Sequence, residues 1–215
     1  MHVFCVHVAC MVKSKSSERR SHAERSTATR AALIDAGRAL FAANGYGATA
    51  REEIVARAGV TRGALQHHFS DKAGLFRAVY EEVEREVVEA VALAAMAAGD
   101  DPMEELRAGC GAYLDAMLDP AIQRICAVDG PAVLPGEVRQ QITDRYALGL
   151  VREAVTAAVA NGQLAPAPVE PLARILLAGV TAAAVYVATA PDPTTARAEA
   201  GSTVELLLDR LGLPA

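Results

Sequence analysis

Residues 49–69 predict two short helices that are separated by a tight glycine turn. Thr49 is the expected cap of the first helix, because its hydroxyl can accept from the free amides there while Glu52 reaches back to the amide of Thr49. Gly59 should end that helix, since glycine most easily adopts the left-handed backbone conformation. Thr61 is the expected cap of the second helix. Such a pair of helices is typical of a helix-turn-helix, which presents its second helix to a DNA major groove.

Apolar residues at helical spacing define the faces of these helices and of their neighbours. In the second helix, Leu65 and Phe69 lie four residues apart and should face one core. The positions left facing outward are Arg62, Gly63, Gln66 and His67. A preceding helix, closed at residues 44–45, is predicted from the helical spacing of Leu33, Ala36, Gly37, Leu40 and Phe41. Residues 70–71 should cap a fourth helix that returns to this core and runs towards Ala98.

Four segments of this region carry a family resemblance. They are residues 39–49, 54–65, 68–72 and 75–76. These segments resemble the tetracycline-repressor (TetR) family of bacterial one-component regulators, and the resemblance extends over residues 28–80. It implies a three-helix DNA-binding head followed by a helical domain that binds a small molecule and forms a dimer. One departure is Gln66, where the family usually has a tyrosine that touches the DNA backbone; glutamine could bond a phosphate or pair with an adenine edge.

The predicted DNA contacts combine the outward face of the second helix with nearby basic positions. On that helix they are Thr61, Arg62, Gly63, Gln66 and His67, and the predicted phosphate contacts are Thr49, Arg51 and Lys72. Arg62 is the expected base reader, because an arginine fork can grip a guanine edge. The adjacent His67 and His68 point to different faces of a helix, so a metal site between them is not favoured.

Charge is distributed unevenly along the 215 residues, whose formal net charge is −5. Residues 1–80 carry 12 Lys and Arg against 6 Asp and Glu, and residues 81–215 carry 9 against 20. DNA binding depends on local phosphate neutralisation, so a head of +6 on a body of −11 is compatible with it. The predicted division is a flexible basic extension over 1–25, a helix-turn-helix domain over 26–75 and a helical sensing and dimerisation domain over 76–215.

The N-terminal extension admits several interpretations. Its basic residues are Lys13, Lys15, Arg19, Arg20, Arg25 and Arg30. They could form an arm along phosphates or in a minor groove, or a solvated tail. Zinc could in principle bind His2, Cys5, His7 and Cys10, but their spacing is not a recognised zinc pattern, and an unstructured extension ahead of Met11 is favoured. No metal site or cofactor is predicted. Four cysteines without a secretory signal indicate free thiols and a cytoplasmic protein.

The remainder of the chain predicts an all-α fold of about nine helices. The five further helices are expected over residues 102–118, from Pro120 to before Asp129, over 137–160, over 170–189 and over 193–211. Prolines should prevent regular helix between Pro131 and Gly136. Residues 175–190 are uncharged and apolar nearly all round, but they fall short of the roughly 20 residues that a bilayer requires. Burial in protein is therefore favoured over a membrane span. A helix that is apolar nearly all round must be covered on both sides. A homodimer through the last two helices, as the resemblance implies, would cover the side that a single chain leaves open.

The resemblance further implies a repressor that binds a palindromic double-stranded DNA operator. An unidentified small-molecule effector would bind among the middle helices and release the operator. From helix faces alone, the candidate pocket residues are Cys110, Tyr113, Met117, Cys126 and Tyr146. Ordinary core packing, or a redox pair for the two cysteines, is the alternative. All five histidines lie at or before His68, which disfavours metal sensing. The competing functions are a ligand-independent DNA-binding protein and a helical-bundle enzyme, although the bundle has no Glu-x-x-His pair, phosphate loop or nucleophile elbow.

Overall fold

Helices make up nearly all of the described chain. The computed structural model describes residues 23–212 in full and, for residues 3–22, only the helical backbone. The predicted zinc alternative and most of the basic extension therefore lie outside the residues whose side chains are described. The first four helices are α1 Val3–Ala48, α2 Arg51–Ala58, α3 Arg62–His68 and α4 Lys72–Ala97. They are followed by α5 Pro102–Ala116, α6 Pro120–Ile122, a π-helix Gln123–Asp129, α7 Gly130–Val133, α8 Gly136–Tyr146, α9 Leu148–Ala160, α10 Val169–Thr189 and α11 Pro193–Leu211. The all-α class is confirmed.

Local capping signals determine the ends of the short helices in the head. Gly59 has φ 65° and closes α2 in the left-handed conformation, as predicted. The Thr61 hydroxyl accepts from the amide of Ala64 at 3.2 Å and caps α3. The Asp71 carboxylate accepts from the amide of Gly74 at 2.7 Å and caps α4. These caps orient the three helices around a core formed by Leu33, Phe41, Ile54, Leu65, Phe69 and Phe76.

The predicted cap of α2 is wrong by one residue. Ala50 is the N-cap, and its amide donates to the Glu53 carboxylate at 2.8 Å, where Thr49 and Glu52 were expected. Gly45 breaks α1 at φ 79° and ψ 164°, so the carbonyls before it lack their usual helical partners. The Thr49 hydroxyl donates to the Gly45 carbonyl at 2.8 Å. This competing acceptor explains why Thr49 turns back towards α1.

The middle of the bundle departs from the predicted helices in two places. The expected single helix over residues 137–160 is divided at Ala147, and this alanine and the following Leu148 are both buried. The chain also stays helical from Pro120 to Val133 through the π-helix, so the expected loss of helix from Pro131 onwards is wrong for residues 131–133. Pro131 lies in the first turn of α7, directly after the π-helix.

Helix α4 belongs to both the head and the bundle. Leu75, Phe76 and Val79 are buried near its start, and Val83 and Val87 are buried further along. All five belong to one continuous hydrophobic cluster that joins the head to the bundle. The head and the bundle therefore share one hydrophobic core along α4. The predicted division at residues 75/76 falls inside this helix and stays a prediction.

Candidate DNA interface and effector cavities

The exposed side of α3 carries five of the eight predicted DNA contacts. All five residues are exposed: Thr61, Arg62, Gly63, Gln66 and His67. Leu65 and Phe69 face the core, as the spacing predicted. Arg62 lies 3.9 Å from a carboxylate oxygen of Glu52, and both side chains are largely in solvent. Such an exposed pair contributes little free energy, so the Arg62 guanidinium is available to another partner.

Thr49 and Lys72 both make contacts inside the head. Thr49 is only 1% exposed, so the prediction that its side chain contacts a phosphate is wrong in this conformation. The Lys72 ammonium donates to the carbonyl of Tyr46 at 2.7 Å and to that of Thr49 at 3.0 Å. It also lies 4.2 Å from the centroid of the Tyr46 ring, a cation–π contact. Lys72 thus fastens the start of α4 to the turn before α2, and its predicted phosphate contact would compete with these bonds.

Arg51 and the adjacent His67 and His68 are further polar residues at or near the predicted DNA-binding surface. Arg51 is half-buried, and its Nη2 is buried without a hydrogen-bond partner. Its phosphate contact stays a prediction.

The centroids of the His67 and His68 rings are 5.2 Å apart. Burial lowers the pKa of His68, and the neighbouring His67 and Arg30 lower it further, so this imidazole is neutral at pH 7. Within residues 23–212, no three His, Cys, Asp or Glu side chains are grouped to hold a metal ion.

Asp129, at the end of the π-helix, connects the bundle to the head. Its Oδ2 accepts from the amide of Tyr46 at 2.8 Å and lies 3.4 Å from the Nε of Arg124. The sequence pattern indicates Asp129 only as a helix boundary and does not reveal this contact, because its partner lies 83 positions away. The turn before α2 is therefore held both by Lys72 of α4 and by Asp129 of the π-helix.

Two cavities border both α4 and α5 inside the bundle. The first, named here the polar cavity, has a volume of about 280 Å³. Its lining is Tyr80, Glu84, Tyr113, Met117, Cys126, Ala127, Gly136, Arg139, Gln140, Thr143, Thr181, Ala184 and Val185. The second, the apolar cavity, has a volume of about 470 Å³ and is lined mainly by aliphatic side chains, including Val88, Leu106, Leu150, Val151, Leu177 and Val180. Both volumes are of the size that small ligands occupy.

Four of the five predicted pocket residues line these cavities. Tyr113, Met117 and Cys126 line the polar cavity, and Cys110 together with Tyr113 lines the apolar one. Tyr146 lines neither, and its hydroxyl donates to Glu81 at 3.0 Å. The prediction for Tyr146 assumed one continuous helix, and the division at Ala147 removes its common face with α9.

Burial controls the ionisation of the groups around these cavities. Burial raises the pKa of the Cys126 thiol well above its usual value and that of Cys110 to about 11, so both are neutral thiols at pH 7. Both cysteines are free, without a disulfide. Glu84 is only 4% exposed; burial raises its pKa, and a hydrogen bond from the Tyr80 hydroxyl lowers it by less. Sequence reasoning missed Glu84, because an acidic residue on a long amphipathic helix usually lies at the surface.

A third feature is the outer face of α10 and α11. A groove of about 660 Å³ runs between them, and the exposed large apolar side chains on these helices are Ile175, Val185, Tyr186, Leu206, Leu207 and Leu211. By length and composition, α10 is the one helix in residues 3–212 that could cross a membrane, with a mean hydropathy of 1.8. A core helix passes the same test, and 33% of this stretch is already buried in a single chain.

An exposed recognition helix, joined through α4 to a hollow helical bundle, defines the class of helix-turn-helix transcriptional regulators. Residues 33–79 match the bacterial regulatory proteins of the tetR family, and residues 103–211 match the tetracyclin repressor-like C-terminal domain. The chain belongs to the TetR family. Members of this family are transcriptional regulators and not enzymes, which excludes the helical-bundle enzyme.

Solved and curated relatives agree with this assignment. A TetR-family regulator from Pectobacterium atrosepticum is 32% identical, with a TM-score of 0.79, and the match covers 89% of this chain and 97% of that one. SmeT, solved as a complex with triclosan, is 26% identical with a TM-score of 0.65, over 87% of this chain and 92% of that one. The regulator BetI of Stenotrophomonas maltophilia is 38% identical over 73 residues. That match spans 34% of this chain and 37% of the length of BetI.

Proposed function

We propose that this protein is a cytoplasmic, dimeric repressor that binds a palindromic operator through α3 and releases it when a small molecule occupies the bundle. The observation that carries the proposal is the course of α4. Lys72 holds the head at one end of this helix, and Tyr80, Glu84 and Val88 line the two cavities further along it. A ligand that fits one position of α4 better than another would shift the population of head orientations. The triclosan complex of SmeT supports a small-molecule effector.

The DNA-binding surface is proposed to consist of the exposed side of α3, with Arg51 at a phosphate. Arg62 would read a base edge, and Gln66 would contact a phosphate or an adenine. Residues 1–80 carry a net +6, which would lower the cost of approaching the phosphates. Two such heads in a twofold dimer would lie about one DNA turn apart on a palindrome.

The dimer is proposed to form through α10 and α11. The apolar groove between these helices is lined from α10 by Ile175, Gly179 and Ala183, and from α11 by Thr203 and Leu207. Exposed apolar side chains that are grouped in one groove are typical of a protein interface. A second copy of the chain would cover it and complete a four-helix arrangement of the kind that the family resemblance implies.

Selection of bound sequences from a random DNA duplex pool tests the proposal. We expect enrichment of a palindrome whose half-sites are about one helical turn apart, followed by saturable binding at two salt concentrations. Compounds can then be screened for release of that probe. Absence of an enriched sequence, with binding that merely collapses in salt, would exclude a specific regulator. A palindrome that no compound releases would favour the ligand-independent DNA-binding protein.

Replacing Arg62 with alanine should weaken binding to the selected operator by about 1 to 3 kcal/mol and relax specificity at one position in each half-site. The reason is the loss of a forked contact to a base edge. Binding to single-position operator variants measures both effects. Arg57, which is exposed on α2, provides the control: Arg57→Ala should leave the sequence preference unchanged. Equal weakening on all operators would instead assign Arg62 to a phosphate.

Replacing Asp129 with alanine should lower the free energy of unfolding by about 1 to 3 kcal/mol, because the Tyr46 amide would lose its acceptor. Hydrogen exchange should become faster at that amide, with amides of α10 little changed. Urea denaturation and exchange measured by NMR give the two readouts. Asp129→Asn retains an acceptor oxygen and should preserve most of the protection. Unchanged exchange in Asp129→Ala would show that this contact does not hold the turn.

A further inference from the structure

Two of the residues that line the polar cavity each carry a buried polar atom without a hydrogen-bond partner among the described residues. The Oε2 atom of Glu84, on α4, is buried and accepts no hydrogen bond. The Nε atom of Arg139, on α8, is likewise buried and donates none. Burying a polar atom without a partner costs free energy, and most buried polar groups in proteins are bonded. These two atoms are therefore candidates for contacts that a ligand would complete.

Within the described part of the chain, several other arginines of the bundle form ion pairs with carboxylates, and Arg139 does not. Arg107, Arg145, Arg174 and Arg197 each form an ion pair with a carboxylate. Arg139 forms no ion pair with any residue between 23 and 212, although the cavity that it lines also contains Glu84. A guanidinium is charged at all physiological pH values, and its forked donors match a carboxylate geometrically. The Arg139 side of the polar cavity is thus suited to an anionic group.

We infer that the effector is a compact hydroxy-substituted carboxylate, with its carboxylate at Arg139, its hydroxyl at Glu84 and its apolar body against Tyr113 and Met117. The inference rests on the proposed function, since it assigns a ligand class to the same bundle. The volume of about 280 Å³ restricts the ligand to a small molecule of roughly one ring. The same lining also contains the aromatic and apolar side chains of Tyr113, Met117 and Val185, which suit such a body.

A hydroxyl suits Glu84 better than an amine for two reasons. An ammonium group would be repelled by Arg139, whose charge faces the same cavity. Burial also raises the pKa of Glu84, which shifts this group towards its neutral form. A hydroxyl can donate to the carboxylate or accept from the acid, so it satisfies Glu84 in either state. The charge of Arg139 in the same cavity favours a ligand that carries an anionic group.

Calorimetry on the full chain without DNA tests this ligand class with five probes: 3-hydroxybenzoate, 4-hydroxybenzoate, benzoate, phenol and tyramine. At least one hydroxybenzoate should bind about tenfold more tightly than benzoate, which lacks the hydroxyl, and than phenol, which lacks the carboxylate. Tyramine carries an ammonium group instead of the carboxylate and should bind more weakly than either hydroxybenzoate.

Two methionine variants test which side chain contacts the hydroxyl and which contacts the carboxylate of the probe, and a third serves as the control. Glu84→Met should abolish the preference for hydroxybenzoate over benzoate, and Arg139→Met should abolish the preference for hydroxybenzoate over phenol. Glu89→Met removes a carboxylate from the exposed side of α4, outside both cavities, and should leave both preferences unchanged. A variant that fails to fold leaves the wild-type comparison of the five probes intact.

The inference is overturned if neither hydroxybenzoate binds more tightly than both benzoate and phenol, including the case in which no probe binds at millimolar concentration. Tighter binding of tyramine would also overturn it and would assign the cavity to cations. Preferences that persist in both Glu84→Met and Arg139→Met would place the probes elsewhere. The DNA selection is independent of these outcomes, so an enriched palindrome together with failed probes would reject the ligand class and retain the regulator.

Discussion

Replacing Phe76 with alanine is expected to lower the free energy of unfolding by about 3 to 5 kcal/mol. Phe76 is fully buried where α4 joins the head to the bundle. Its ring packs edge-on against Phe41, at 5.3 Å between centroids, and against Tyr46, at 5.2 Å. The alanine would leave a cavity and remove both aromatic contacts. Urea denaturation at one fixed protein concentration measures the loss, because dimerisation would make the apparent stability depend on concentration.

Phe76→Leu is the matched control for this cavity. It keeps an apolar side chain of similar reach, so the loss should be less than half that of the alanine variant. A loss below about 1 kcal/mol in Phe76→Ala would show that the surrounding side chains collapse into the space. In that case Phe41 and Tyr46 would not depend on Phe76 for their positions.

Replacing Leu207 with arginine should convert the proposed dimer into a monomer and weaken operator binding by about 100-fold or more. Leu207 is 56% exposed in the single chain and lines the groove between α10 and α11. A charge buried there in a dimer would lack a partner, whereas in a monomer it meets water. A monomer holds one half-site and loses the gain from simultaneous contact with two. Analytical ultracentrifugation and operator titration provide the two measurements.

Leu93→Arg is the corresponding control for oligomeric state. Leu93 is also largely exposed and apolar, but it lies on α4 and outside the groove of α10 and α11. Its replacement should leave both the dimer and the operator affinity unchanged. If Leu207→Arg remains dimeric, the second copy covers a different surface, and the proposed interface through the last two helices would have to be abandoned.

The helix-turn-helix was readable from the sequence because its defining hydrogen bonds are local. Gly59, Thr61 and Asp71 each act on amides or carbonyls within four residues, and each has the predicted role. Thr49 shows the limit of such reasoning. Its hydroxyl had two acceptable functions, and the break of α1 at Gly45 decided between them.

Helical periodicity located part of the cavity lining. Tyr113 and Met117 were found because α5 is a regular helix whose inner face follows from its spacing. Tyr146 was misplaced because α8 and α9 are separate helices. Glu84 and Arg139 were not identified, since charged residues on amphipathic helices give the same pattern whether they face solvent or a cavity.

The sequence by itself determined the all-helical class, the end of α2, the caps of α3 and α4 and the exposed face of α3, because each depends on neighbours within one or two helical turns. Only the tertiary structure decided where Lys72 and Asp129 act, since their partner Tyr46 lies 26 and 83 positions away. The same holds for Glu84 and Arg139, whose common cavity is formed by the packing of five segments. Local spacing specifies a helix and its faces, but a contact between distant helices depends on how the whole core packs.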